Sequence, residues 1–430
     1  MDSDVGQQEK GYTEQAGTNE GFPPRRSIPR ALESFRFPDY RWLWLGTFFS
    51  FMAVGMQQIT RGWLILRLTE DSPLALALVM MSFALPLTLV AVFGGAFADR
   101  ISRRKIIVLS LSGNTLLTLL LAVLDMTGLV QFWHLMVLGF CNGTMAAFNM
   151  PSRQSIISDI VPDGNLMNAI SLSSAGMNLT RIIGPVLAGV LIVFIDTAGV
   201  FFLNAIIYAV SVLCTLMIQT GRGPVTDGPR KGVVTDIREG FRYAAGEPTI
   251  RALVIMAFVP ALFGFPYLAL LPAWGREVMN IQSDGLGVLM MFVGIGSLVG
   301  TLILASIRHL KRRGLFLVIN GFIWGCTLSL FAYCHSYATA LPVLLLIGIL
   351  SAVFMSLNMT LMQLYSSSEM RGRIVSMAMM TFGIMPLSAV PFGLLAERIG
   401  TPDSLALAGL MLCLFMTAFF FLFSKFRSVS

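Results

Sequence analysis

Long apolar segments dominate this chain and decide what it can fold into. An α-helix needs about 20 apolar residues to cross the hydrocarbon core of a bilayer. The chain is 55% hydrophobic and 12% charged, whereas soluble proteins carry about 25% charged residues, so its surface cannot be covered for water. We therefore predict an all-α integral membrane protein with twelve transmembrane helices. The predicted spans are 42–66, 74–97, 106–124, 132–150, 168–193, 200–217, 250–271, 286–307, 315–333, 340–361, 374–395 and 405–423.

The basic residues fall almost entirely on one side of this topology. Arg67, Arg276 and Arg398 lie on the opposite side, and Arg61 and Arg181 lie within spans, which leaves 25 of the 30 cations together. Lys and Arg are retained in cytoplasmic loops. We therefore expect a multi-pass protein of the cell (inner) membrane with both termini in the cytoplasm.

The same pattern predicts five parts along the chain. Residues 1–41 form a polar, disordered cytoplasmic tail that ends in an interfacial segment, and residues 42–218 form an N-terminal six-helix bundle. A cytoplasmic linker with an amphipathic helix occupies 219–249, and a second six-helix bundle occupies 250–424. Residues 425–430 form a short cytoplasmic tail.

Short sequence repeats indicate that the two bundles are pseudo-symmetric. Asn149 and Gln154 recur 209 residues later as Asn358 and Gln363, each pair at the same topological position. Internal duplication is typical of secondary transporters, whose substrate sites lie at the interface of the repeats. The sequence therefore favours a transporter with a central site between its halves.

The loop between the second and third spans carries a family signature. It holds Gly95, Asp99, Arg100, Arg103 and Arg104 in a short basic turn. The pattern resembles the loop between helices 2 and 3 of the major facilitator superfamily, although a serine replaces its second glycine. The resemblance implies the major facilitator fold and a conformational latch at this loop.

Two partners of this loop are expected elsewhere in the chain. We predict that Asp99 docks against the start of the eleventh span near Arg371, and that Arg100 or Arg103 contacts Asp159. The segment that begins this span contains Glu369, Arg371 and Arg373. It resembles the drug and siderophore exporters of the superfamily, of the enterobactin and macrolide types.

The fifth span carries a kink motif. Gly184, Pro185 and Gly189 combine a helix-bending proline with glycines that permit close packing. The motif resembles in part the fifth-helix motif of major facilitator exporters. This resemblance implies export.

Arg181 is the most informative single residue of the sequence. It lies roughly 20 Å along its span, near mid-depth, where an arginine costs about 2.5–3.5 kcal/mol on insertion scales. It either lines a substrate cavity, binding an anionic group, or forms a structural bridge to a neighbouring helix. The polar residues expected near it or along the same cavity are Gln57, Gln58, Arg61, Asn178, Asn204, Tyr208, Asn358 and Gln363.

Two questions about these residues stay open at this point. Arg61 could instead extend outward to the membrane surface. The spans also lack an acidic residue near mid-depth, because Asp125, Asp196, Glu277 and Glu397 all fall at the outer rim. Proton coupling is therefore undetermined.

The sequence predicts a transporter and no enzyme. The histidines and cysteines show no metal spacing, and we expect no cofactor, no metal and no nucleic-acid partner. We expect a monomer in contact with membrane lipids that exports an amphipathic or anionic organic compound by alternating access. A lipid or lysolipid translocator, and a non-transporting receptor or scaffold, are the alternatives.

Overall fold

The computed structural model describes residues 30–98, 102–219, 242–307, 312–367, 370–423 and 426, which are helical and contain no strand. After a short 3₁₀ helix (Arg30–Arg36), the helices follow in chain order. They are α1 (Pro38–Leu68), α2 (Pro73–Ala98), α3 (Arg103–Met126), α4 (Phe132–Ile160), α5 (Asp163–Leu216), α6 (Pro248–Phe263), α7 (Pro266–Met279), α8 (Ser283–Ser306), α9 (Arg313–Ala332), α10 (Tyr337–Tyr365), α11 (Arg371–Ile399) and α12 (Thr401–Leu422).

Seven helical segments of the described residues are long and apolar enough to cross a membrane. This makes the chain a multi-pass membrane protein. The segments are Arg103–Met126, Gly164–Leu216, Pro248–Met279, Ser283–Ser306, Arg313–Ala332, Tyr337–Tyr365 and Thr401–Leu422.

The predicted seventh span, 250–271, is broken in the structure into α6 and α7. Pro266 cannot donate a backbone hydrogen bond, and the amides of Gly264 and Phe265 both bond to the carbonyl of Pro260, at 2.7 and 3.0 Å. A β-carbon on Gly264 would lie 2.9 Å from the ring of Trp324, so the break is also a point of close packing. The sequence analysis missed this break because it took the apolar run as one helix.

A second break falls inside α5, near the boundary between the fifth and sixth predicted spans. Asp196 there has φ 55° and ψ 176°, so the chain turns between two helical parts. We refer to them as the first part and the last part of α5.

The helices give the bundle two distinct ends. The backbone amide of Ser34 donates to Asn168 (3.0 Å), so α5 starts at the same end as α1. Gly189, most of the way along the first part of α5, contacts Ser283 at the start of α8, which therefore runs back. We call the end that holds the starts of α1 and α5 the terminal end. The opposite end, with the connection 69–72, is the far end.

Helix α5 packs tightly against α1 on one side and α8 on the other. A β-carbon on Gly184 would lie 3.2 Å from the α-carbon of Gly55, and one on Gly189 would lie 2.6 Å from the carbonyl oxygen of Ser283. That β-carbon on Gly189 would also lie 3.2 Å from the α-carbon of Gly287. The kink motif of the fifth span thus serves two interfaces, one of which joins the N-terminal helices to α8.

A first prediction tests this contact. Gly189→Ala should destabilise the protein by about 1–3 kcal/mol, because the added methyl meets backbone that cannot move aside. The melting temperature in detergent measures the effect. Gly164→Ala is the matched control on the same helix, since nothing lies within 4 Å of its added methyl. Equal melting temperatures for the two variants would contradict a tight α5–α8 contact.

Candidate functional site

The first part of α5 has two exposed faces. Leu179, Leu187 and Val190 are exposed and apolar, and together they form one face that suits lipid. The opposite face carries Arg181, because 3.6 residues per turn place it about half a turn away from these residues. An exposed arginine at mid-depth on a face turned away from lipid indicates a cavity.

Exposure along the Arg181 face stops abruptly toward the far end. On the terminal side Met167, Ile170 and Ser174 are exposed, and so is Arg181 itself. Beyond Arg181 the next residues of this face are all buried. They are Gly184, Pro185, Ala188 and Ile192. The cavity therefore opens toward the terminal end, and Arg181 lies at its closed end.

The guanidinium of Arg181 has no protein partner among the described residues. The structure shows there neither an ion pair nor a hydrogen bond to it. Its backbone carbonyl lies 3.6 Å from the β-carbon position of Gly294 on α8, so the cavity wall continues onto that helix. Of the two interpretations of Arg181, this placement favours the cavity over a structural bridge.

Helix α1 supplies the adjoining wall. Val54 and Gln58 are exposed and lie one turn apart, on either side of Gly55, which contacts α5. Asn178, one turn before Arg181, is half-buried. The placement of Gln58 and Asn178 on neighbouring parts of α1 and α5 is compatible with the predicted cavity around Arg181.

Other predicted cavity residues lie inside the N-terminal bundle. Gln57 is buried and donates to Thr118 of α3 (2.7 Å). Asn204 and Tyr208, both on the last part of α5, are also buried. Arg61 is half-buried with its Nη2 enclosed, so it points into the bundle and does not extend to the surface.

Arg153 is a buried cation that the sequence analysis had counted as cytoplasmic. Helix α4 continues to Ile160, past the predicted end at 150, and this places Arg153 within the helix. Its guanidinium donates to Asn149 (2.8 Å), to Thr47 (2.6 Å) and more weakly to Ser211 (3.4 Å). Arg153 thus ties α4 to α1 and to the last part of α5 through neutral acceptors.

The equivalent place in the C-terminal half lacks the cation. Asn358 is buried like Asn149, but the residue one turn later is Met362, whose sulfur lies 3.9 Å from the Asn358 amide. Gln363 is exposed near the terminal end of α10. That Asn358 and Gln363 line the same cavity as Arg181 stays a prediction.

Only part of the predicted latch can be placed. Arg103 donates to Asp159 (2.6 Å) and to the carbonyl of Ser155 (2.9 Å), which matches the expected pairing. Arg104 donates to the carbonyl of Thr215 (3.3 Å). Asp99, Arg100 and Glu369 lie outside the described residues, and for Gly95, Arg371 and Arg373 only the backbone is described.

A polar network that the sequence analysis did not foresee closes the far end within the N-terminal helices. Arg67, at the end of α1, bonds to Asp125, to Asp196 (3.0 Å) and to Thr197 (2.9 Å). Thr197 also donates to Asp125, whose side chain is 1% exposed. The sequence had placed these acids and Arg67 at one rim, but it gave no signal for their pairing.

Further far-end contacts join the two halves. Arg276 of α7 pairs with Asp71 (3.3 Å) and lies over the ring of Trp63, 4.9 Å from its centroid. Ser72 donates to Glu397 of α11 (2.5 Å). The far end is therefore bridged across the halves while the Arg181 face is open toward the terminal end.

Comparison with known proteins identifies the family. The family described as transmembrane secretion effector matches residues 30–430. The chain belongs to this family of major facilitator transporters. The relatives and the fold are those of transporters and not of enzymes.

Three relatives show the range of cargo in proteins similar to this transporter. The staphyloferrin A transporter of Staphylococcus aureus is 25% identical, over 90% of this chain and 97% of the relative. The enterobactin exporter EntS of Salmonella typhimurium is 24% identical, over 78% and 80% of the two chains. The multidrug efflux pump Tap of Mycolicibacterium fortuitum is 25% identical, over 85% and 91%.

Solved structures confirm the fold of the transporter. A bacterial homologue of the human lysosomal transporter Spinster, in an inward-facing and unoccupied conformation, aligns with a TM-score of 0.71 at 16% identity. This alignment covers 94% of this chain and 99% of that one. The nucleoside transporter NupG aligns with a TM-score of 0.74 at 13% identity, over 90% and 99% of the two chains.

A second prediction tests the far-end network of the transporter. Asp125→Asn should cost about 2–3 kcal/mol, less than the loss of a fully buried pair, because Arg67 is 41% exposed. Asp196→Asn is the matched control, since Asp196 contacts the same arginine but is 66% exposed. Thermal unfolding in detergent should show the larger loss for Asp125→Asn. The reverse order would show that Asp125 does not hold the network together.

Proposed function

We propose that this transporter exports an anionic or amphipathic organic compound by alternating access, as a secondary transporter. One observation carries the proposal. The Arg181 guanidinium has no partner in the described part of the chain and lies at the closed end of a cavity that opens toward the terminal end. Such a group recognises carboxylates and similar anions through charge-assisted hydrogen bonds.

The proposal includes twelve spans arranged as two six-helix halves, 42–218 and 250–424. The two breaks, at Asp196 and at Gly264, are consistent with this count, because the first divides α5 into two spans and the second lies within one span. The strong bias of basic residues supports cytoplasmic termini. The cavity at Arg181 then faces the cytoplasm, where an exporter collects its substrate.

The relatives support an organic cargo. Their names include siderophore transporters and a drug efflux pump. The partial match of Gly184, Pro185 and Gly189 to the exporter motif supports the outward direction. We propose a siderophore, drug or similar compound that carries at least one negative charge.

Proton coupling would have to use an acid at the rim, because the spans carry none near mid-depth. Asp125 is the rim acid with the least exposed side chain among those paired to Arg67. Transport in proteoliposomes with and without an imposed pH gradient decides whether protons are involved.

A third prediction tests Arg181 directly. Arg181→Gln should weaken an anionic substrate about 10- to 100-fold, because a hydrogen bond to a charged group is worth about 1.5–3 kcal/mol. An uncharged substrate should be transported almost as before. Uptake into inverted membrane vesicles, with staphyloferrin A and an anionic dye compared with an uncharged dye, measures the difference.

Arg181→Lys is the companion variant because it keeps the charge but loses the planar fork. It should retain part of the anion uptake at an unchanged melting temperature. Equal loss for charged and uncharged substrates, together with a large drop in melting temperature, would assign Arg181 to the scaffold. Uptake into intact cells that depends on the protein would contradict export.

A fourth prediction concerns the proposed latch. Arg103→Asp should slow transport because it opposes Asp159, which Arg103 contacts at 2.6 Å. The double variant with Asp159→Arg should restore much of the rate. Flux and the accessibility of single cysteines on the cytoplasmic side report the change. Unchanged flux and accessibility in Arg103→Asp would remove this pair from the latch.

A further inference from the structure

A second positive charge lies apart from Arg181, inside the N-terminal bundle, and its partner is missing. Arg61 of α1 makes neither an ion pair nor a hydrogen bond with the described residues, and its Nη2 is enclosed. An enclosed guanidinium without a counter-charge is strongly unfavourable.

Asn204 adds unsatisfied polar atoms at the same place. It is 0% exposed, and both its amide nitrogen and its amide oxygen lack a hydrogen-bond partner. Buried side-chain polar atoms are nearly always paired with protein or with a bound molecule. Two orphaned groups, Arg61 and Asn204, therefore need an explanation.

The helix register brings these groups together. Ser211 Oγ donates to the carbonyl of Gly46 (2.6 Å), which fixes α1 against the antiparallel last part of α5. This register places Tyr208 and then Asn204 successively closer to Arg61. Side chains lean toward the N-terminus of their own helix. Arg61 therefore leans toward the terminal end, Asn204 and Tyr208 lean toward the far end, and the three converge.

The neighbouring cation, Arg153, is satisfied by hydrogen bonds within the protein. Arg153 donates hydrogen bonds to Asn149, Thr47 and Ser211. It therefore needs no ligand, but it adds positive potential to the same interior. No ion pair to either arginine is found in the described part of the chain.

We propose that Arg61, Asn204 and Tyr208 form a binding site for a compact anion, a halide or a carboxylate. The Arg61 guanidinium supplies the charge, and the Asn204 amide and the Tyr208 hydroxyl supply further donors. The site is separate from Arg181 and stands whether or not the exported compound is an anion.

The test uses the full-length protein in detergent, in sodium gluconate buffer at constant ionic strength. Replacement of gluconate by chloride, bromide or acetate should raise the melting temperature by several degrees, because a ligand that binds only the folded state stabilises it. A response to the halides assigns the site to an inorganic anion, and a response to acetate alone assigns it to a carboxylate. No response to any of the three would overturn the proposal.

Single substitutions show which residue the rise in melting temperature depends on. Arg61→Gln should abolish it, whereas Arg251→Gln, the same change at an exposed arginine, should leave it intact. Arg181→Gln should still show a response, and that response should disappear when Arg61→Gln is added, which separates this site from the proposed function. A response lost in Arg181→Gln and retained in Arg61→Gln would overturn the site at Arg61.

Asn204→Asp provides a test in which the expected result is a gain in stability and not a loss of binding. It places a carboxylate of the protein itself beside Arg61, so it should raise the melting temperature in gluconate and remove the response to added anions. An anion response of wild-type size in Asn204→Asp would overturn the proposal. If the Arg61→Gln variant failed to fold, the anion response of Asn204→Asp would still decide between the two outcomes.

Discussion

The cost of holding a guanidinium inside an apolar bundle shapes the N-terminal half of this transporter. Within hydrocarbon, each charge must find a partner in the protein, in water or in a ligand. Arg153 meets this requirement with three neutral oxygens from three helices. Arg181 meets it by facing a cavity. Arg61 has no partner among the described residues, although its Nη2 is enclosed.

The closure of the far end depends on contacts that are individually weak. Arg276 and Asp71 are each about a third or more exposed, and surface pairs of this kind are worth about 0–1 kcal/mol. The Gly189 contact with α8 involves backbone and no charge. Separation of these surfaces therefore leaves no buried charge without a partner. By contrast, the Arg67 network joins only α1, α3 and α5.

The sequence predicted those features that follow from hydropathy and from local charge. The Arg103–Asp159 contact is one of the two pairings expected for the basic loop between the second and third spans, and it is present. The break at Gly264 was not predicted, because an apolar run with prolines does not show whether its helix continues past them. The burial of Arg153 was not predicted because α4 extends ten residues beyond the apolar run that marked its span. The Arg67 network depends on which rim residues become neighbours, and that information lies in the packing of α1, α3 and α5.

Two positions that match in the sequence repeat are followed by residues of different charge. Asn149 and Asn358 occupy matching positions, but the next turn carries Arg153 in one half and Met362 in the other. The predicted spans of the C-terminal half hold no cation near mid-depth, whereas those of the N-terminal half hold Arg181 near mid-depth and Arg61 nearer one end, and Arg153 follows the fourth predicted span. Positive charge therefore stays within one half. When two halves move relative to each other, charges fixed in one of them keep their mutual distances and their acceptors. An anion bound there would stay with that half, while the apolar surface of the other half changes its exposure around it.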